Sequence, residues 1–156
     1  PSIHWLVKKY LLDTNICAYF FNGKFNLTEK IDEVGFENCC VSEITIAELK
    51  YGIAKSTHKE KNQKVLEIFQ AKIFILPIFP ALDIYSTEKA RLKTKGKMLD
   101  DFDLLIGSTA IFNDLILVTK NVSDFDRLDG IVIEDWTILW YITAGLKCKL
   151  QLLCFM

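Results

Sequence analysis

The stretch YLLDTNICAYF, residues 10–20, decides the fold. Tyr10, Leu11 and Leu12 form a short apolar run that stops at Asp13. A run this short and this uniformly apolar reads as a buried strand, β-like on both faces. Thr14 or Asn15 can cap a helix that continues through Phe21, and Asn22-Gly23 ends it. A buried strand followed at once by a helix is the unit of an α/β fold.

The unit recurs outward from there. Residues 39–42 read as a second strand, and residues 44–54 as a helix on which Ile46, Leu49 and Ile53 make an apolar stripe. A short amphipathic helix is expected over 26–34 and another over 59–72. Residues 73–78 look β-like and are stopped by Pro77 and Pro80. Helices are expected over 81–95, ended by Gly96, and over 102–113. Residues 115–118 and 131–133 complete the strands. Strands alternating with helices predict one α/β domain with a parallel sheet. No repeat, linker or low-complexity segment interrupts it.

The chain has 156 residues, 51% of them hydrophobic, with a net charge of −1. It can bury a substantial core, and it carries no global basic field that would advertise nucleic-acid binding. Its cations are unevenly placed: Lys89, Arg91, Lys93, Lys95 and Lys97 form one basic stretch, and Lys55, Lys59, Lys61 and Lys64 another. Cys17, Cys39, Cys40, Cys148 and Cys154 make an odd count without a C-x-x-C. Reduced thiols in a cytoplasmic protein are expected, with Cys39 and Cys40 in the core. The nearest approach to a spanning helix, residues 136–156, is broken by Lys147 and Lys149. Residues 1–6 show no period and would be upstream sequence if Val7 is read from a GTG start codon. The segment after Trp136 is expected to be an added helix or a non-native extension.

The chemistry lies in acids set among apolar residues. Asp13 follows the first strand, Glu48 sits inside a helix beside Ile44, Leu49 and Ile53, and Asp103 falls in the first turn of DFDLLIGSTA. Asn121 and Asp124 follow the strand LILVT. Buried acids are costly unless they are paired, protonated or bound to a cation. Gathered at the carboxyl ends of parallel strands, where such folds bind ligands, they make an oxygen-rich site suited to Mg²⁺ or Mn²⁺. His4 and His58 are the only histidines and neither is near a candidate acid, which argues against a zinc centre. Carboxylate-held Mg²⁺ supports phosphodiester hydrolysis without a Ser or Cys nucleophile. Taken alone, each acid has a plainer reading. Asp13-Thr14 is a helix cap, Glu48 a solvated helix position, Asp103 a partner of the helix dipole, and the basic run a solvated face. A phosphatase using Asp13 as nucleophile would want a second Asp two residues on, where Asn15 stands.

On YLLDTNICAYF, VSEITIAELKYGIAKS, DFDLLIGSTA, LILVTKNVSDFDRLDGI and the closing EDW, the chain resembles a PIN domain. Within that superfamily it is similar to VapC-type toxins of toxin–antitoxin pairs. The resemblance covers about residues 8–136 and takes residues 7–136 as the domain. It implies a three-layer α/β/α sandwich around a parallel sheet, with an acidic metal pocket. The family's acids fall on Asp13, Glu48 and Asp103, and its fourth position falls on Asn121, with Asp124 as the alternative ligand. Thr14 and Thr119 match supporting polar positions, and Trp136 matches the family's end. The resemblance implies a Mg²⁺- or Mn²⁺-dependent endoribonuclease cutting tRNA or rRNA. It also implies a cognate antitoxin and a homodimer, with contacts on the helices at 16–21 and 44–54. The basic run from Lys89 to Lys97, with Lys50 and Lys120, would track the RNA backbone. A PIN-like module that pairs with an antitoxin but does not cleave is the alternative.

Overall fold

The computed structural model describes residues 9–138. The expectations for residues 1–6, and for the chain beyond Ile138, lie outside the described residues. Five strands, β1 (Tyr10–Leu12), β2 (Cys39–Ser42), β3 (Phe74–Leu76), β4 (Ile116–Val118) and β5 (Val132–Glu134), form one sheet in the order β3-β2-β1-β4-β5. Every pairing is parallel; Leu11 lies opposite Cys40 on one side and Leu117 on the other. The helices are α1 (Thr14–Phe21), α2 (Leu27–Val34), α3 (Glu43–Lys55), α4 (Lys59–Gln70), α5 (Leu82–Thr94), α6 (Asp101–Phe112) and α7 (Val122–Phe125). They cover both faces, giving the expected three layers.

The period of two along each strand divides the core. Leu12, Val41 and Val118 point to one side, where Ile16, Ile31, Leu66, Phe69 and Trp136 pack. Leu11, Cys40 and Leu117 point to the other, against Leu92, Leu104, Ile106 and Phe125. Cys17, Cys39 and Cys40 are all buried and form no disulfide among the described residues.

The structure corrects several boundaries. Asp13, rather than Thr14 or Asn15, is the cap of α1, its carboxylate accepting the Thr14 N–H. Helix α6 begins at Asp101 because Asp100 caps it, accepting the Phe102 N–H at 2.9 Å. Pro77 cuts β3 short at Leu76. Gly130, at φ 82°, turns the chain so that β5 starts at Val132. Two 3₁₀ turns, Phe36–Asn38 and Phe79–Ala81, and the four-residue α7 carry no period long enough to show in sequence.

The sheet order places the site. From β1 the chain moves to β2 and β3 on one side, then returns to fill β4 and β5 on the other. The crevice at the carboxyl ends of β1 and β4 is therefore the topological switch point. Asp13 leaves β1 there and Thr119 leaves β4 there, joined by the Asp13 N–H to the Val118 carbonyl at 3.0 Å.

Candidate active site

Asp13 is almost wholly buried, 3% exposed, and its carboxylate is held from three directions. Oδ1 accepts the Thr14 N–H at 2.7 Å. Oδ2 accepts the Thr119 hydroxyl and the Asn15 amide, each at 2.7 Å. An ionised carboxylate offers about four acceptor positions, so three donors leave room for one further partner. Burial still raises the Asp13 pKa, against the pull of the Thr119, Thr14 and Asn15 hydrogen bonds.

Glu48 comes from the middle of α3, and the Thr14 hydroxyl donates to its Oε2. Thr14 thus serves two acids, Asp13 through its amide and Glu48 through its side chain. Burial raises the Glu48 pKa; the Thr14 bond opposes this, and the charges of Asp13 and Asp100 add to it.

Asp103 lies in the first turn of α6, partly buried, and among the described residues no donor reaches its carboxylate. Its pKa is pushed up to about 6, first by burial and then by the charges of Asp13, Glu48, Asp100 and Asp124. The structure therefore brings the three acids, with Asp100 and Asp124, within electrostatic reach of one another at the carboxyl edge of the sheet.

The two candidates for the fourth position differ. Asn121 is exposed at the start of α7, and its N–H donates to the Thr119 hydroxyl at 3.0 Å. Asp124 is paired with Arg127 at 2.8 Å. Arg127 also donates to the Met98 carbonyl at 3.1 Å, which ties α7 to the loop before α6.

The candidate ligands form one chemical set. All its members are oxygen donors, three carry raised pKa values, and Asp103 has no hydrogen-bond partner among the described residues. A partly buried carboxylate without a hydrogen bond, among other acids, has an unmet need for positive charge. That fits a hard divalent cation. Among the described residues, no three His, Cys, Asp or Glu side chains are gathered closely enough to hold a metal ion as they stand. Like charges stand off from one another, and a cation would draw them in.

The basic run divides. Lys89 is engaged by Asp101 at 2.6 Å, and Arg91 by Glu88 at 2.5 Å and Asp129 at 3.1 Å. Arg91, Lys95 and Lys97 also line an open groove with Arg127, Asp126 and Asp129, beside the helix that carries Asp124. Sequence reasoning missed Asn15, which bridges Asp13, Thr119 and the Lys120 N–H. It also missed Arg127, whose only signal was its i,i+3 spacing from Asp124.

Comparison with known proteins accords with this geometry. A family model described as the PIN domain matches residues 10–131. Ribonuclease VapC2 of Rickettsia felis is 36% identical over 132 residues, 81% of this chain and 97% of that protein. The tRNA(fMet)-specific endonuclease VapC of Shigella flexneri is 33% identical, over 83% of this chain and 98% of its own. Among solved structures, DNA-bound VapBC from Salmonella typhimurium superposes with a TM-score of 0.77 at 34% identity, covering 82% of this chain and 98% of that one. VapBC2 from Rickettsia felis, bound to a promoter DNA fragment, gives 0.72 at 35% identity over 81% and 98%. The acids at the switch point thus sit in a fold shared along nearly the whole length of these relatives, and the chain belongs to the PIN-domain family, among its VapC ribonucleases.

Proposed function

We propose that this protein is a Mg²⁺- or Mn²⁺-dependent endoribonuclease, the toxin of a toxin–antitoxin pair, acting in the cytoplasm on structured RNA of the tRNA or rRNA kind to stop translation. The observation that carries this reading is the convergence of Asp13, Glu48 and Asp103, each with a raised pKa, at the switch point of the sheet. The names of the relatives supply the ribonuclease class.

Asp13, Glu48 and Asp103 would hold the cation, with the Asn121 amide oxygen or Asp124 completing the set. When bound, the cation supplies positive charge against the scissile phosphate and lowers the cost of deprotonating water. The chain's own residues do the positioning. Thr119, Asn15 and the Thr14 amide fix Asp13, so its charge is oriented before RNA arrives. The Thr14 hydroxyl occupies Oε2 of Glu48 and leaves Oε1 for the cation. Lys95, Lys97 and Arg127 offer the groove along which the RNA backbone runs, with Lys50 and Lys120 on other approaches.

The domain is taken as residues 7–136. A groove between α1, α3 and α4, lined by Phe21, Leu49, Ile53 and Val65, is the proposed seat of the antitoxin. It lies on the two helices singled out for partner contacts, whose Ile16, Cys17, Ile44 and Ile46 turn inward to the core. A homodimer is proposed as the working state.

Purified protein freed of antitoxin should cut total tRNA or rRNA into discrete fragments when given Mg²⁺ or Mn²⁺. Intact RNA after incubation with folded protein would overturn the reading in favour of a non-cleaving, antitoxin-binding module.

A further inference from the structure

Helix α6 delivers Asp103 on a turn that the core does not hold. Leu99, before the helix, and Leu104, within it, are buried at 8% and 1% exposure. Between them Asp100, Asp101 and Phe102 are exposed, and Asp103 is only partly buried. The first N–H groups of a helix have no acceptor within it, so side chains must help to fix its first turn. Asp100 supplies one restraint. Its carboxylate accepts the Phe102 N–H and its carbonyl the Leu104 N–H, each at 2.9 Å. Both bonds lie inside the turn, so they shape it without tying it to another element.

Asp101 supplies a tie outward, to α5. Its Oδ1 accepts Lys89 Nζ at 2.6 Å and the Tyr85 hydroxyl at 3.1 Å. Lys89 also donates to that hydroxyl at 2.9 Å, which closes a triangle. The ammonium lies 5.3 Å from the centre of the Tyr85 ring. The base of the triangle is firm. Lys89 follows Glu88, which is 6% exposed and paired with Arg91, and precedes Leu92, which is 1% exposed. Tyr85 packs against the core cluster that contains Leu104. Two donors from one helix meeting on one oxygen restrain its direction as well as its reach.

Asp103 needs such a restraint more than the other two acids. Asp13 is held by Thr14, Asn15 and Thr119, and Glu48 by Thr14. No donor reaches the Asp103 carboxylate among the described residues, so its place follows from where the turn sits. We propose that Lys89 and Tyr85, acting through Asp101, are positioning residues that hold the first turn of α6 so that Asp103 meets the cation. Asp103 stands two residues after Asp101, and a loosened turn carries it away. About 1 Å of misplacement costs up to about a hundredfold in a catalytic site. The contact itself is superficial, with Lys89 36% and Asp101 54% exposed, so it adds little to global stability. The inference rests on the metal-dependent ribonuclease reading and adds what keeps one of its acids in place.

The test uses the full chain freed of antitoxin, as wild type, Lys89→Met, Asp101→Asn and the double variant. Mn²⁺ affinity is read by electron paramagnetic resonance, exchange of the Leu104 amide by NMR, and cleavage of total tRNA as kcat and KM. Each single variant should weaken Mn²⁺ binding about tenfold, the smaller loss seen when a ligand's supporting group is removed. Leu104 exchange should quicken while the β4 amides stay protected. The kcat should fall with KM nearly unchanged, and Tm should stay within about 2 °C. The double variant should be no worse than either single, because both delete the same contact. Tyr85→Phe, which removes one corner of the triangle, should give a smaller loss of the same kind. Glu33→Gln, which breaks the exposed Lys30–Glu33 pair at 3.6 Å on α2, should change nothing. If Lys89→Met fails to fold, Asp101→Asn carries the test.

A lysine that grips RNA instead would give a raised KM and a shallower salt dependence in Lys89→Met, with Asp101→Asn neutral or tighter-binding. That pattern, or unchanged Mn²⁺ affinity and Leu104 exchange in the folded variants, would overturn the positioning role. If the wild type still cuts RNA with Mn²⁺ in that case, the ribonuclease reading stands. A folded wild type that neither binds Mn²⁺ nor cuts RNA would overturn both.

Discussion

At the scale of single residues, an acid's position among apolar neighbours told most of the story. Asp13, Glu48 and Asp103 were legible because each interrupts a run that has to be buried, and burial of an acid demands a reason. Asn15 was not legible, because a polar residue at a helix start reads as a cap. Only the folded structure shows it spanning from Asp13 to Lys120. The tension at Asp103 leads to a stability prediction. Its folded pKa of about 6 exceeds the value of about 3.9 in an unfolded chain. Without a cation the folded state holds that proton more tightly. The contribution of Asp103 to stability in EDTA is therefore greatest below about pH 4 and is lost as pH rises through about 6. Asp103→Asn should remove this penalty and raise stability at pH 7 in EDTA by about 1–2 kcal/mol. The gain should vanish near pH 4. Thermal unfolding of both proteins across that range checks the sign.

At the scale of elements, the strands and long helices were legible from apolar runs and periods. The short pieces that shape the site were not. Four-residue α7 has too little sequence to show a period, yet it carries Asp124 and presents Arg127 to Met98. The lysine run read as one face, but pairing across elements divides it. Glu88, 6% exposed, accepts from Arg91 and from the Asp129 N–H at 2.9 Å, joining α5 to the loop before β5. The Arg91 side chain, chiefly through its hydrogen bonds, holds the Glu88 carboxyl below the usual range. Its contribution is present above the ordinary glutamate value of about 4.3 and is lost as pH falls through the folded value. Glu88→Gln should lower Tm by about 3–6 °C at pH 7, with the difference closing below about pH 4. The close packing of α6 on α7 gives a second check. A side chain at Gly107 would meet Leu128 Cδ1 at 2.2 Å and Phe125 at 3.3 Å. Gly107→Val should therefore destabilise the protein by about 2 kcal/mol or more, measured by denaturant unfolding.

At the scale of the whole molecule, the sheet order turns scattered acids into one site. Residues 13, 48 and 103 are far apart in sequence, and β1 and β4 meet at the switch point only because the chain reverses its filling of the sheet. Sequence pattern gave parallel strands; it did not give their order from first principles. That order is visible only in the folded sheet. Trp136 closes the same architecture, 1% exposed, with its ring edge-on to Tyr10 at 5.1 Å and its N–H on Glu134. Trp136→Ala should cost about 3–5 kcal/mol by chemical denaturation. Residues 7–136 expressed alone should keep the Tm of the full chain within a few degrees, checked by calorimetry.

The most direct test of the central claim is the rate of RNA cleavage as Mn²⁺ is added back to EDTA-stripped protein, wild type beside Asp103→Asn. Three acids sharing one cation predict no cleavage in EDTA, a rate that rises and saturates with Mn²⁺ in the wild type, and loss of at least a hundredfold in Asp103→Asn, on the order of an electrostatic catalytic contribution. Cleavage that proceeds equally in EDTA, or that survives Asp103→Asn undiminished, would contradict the account.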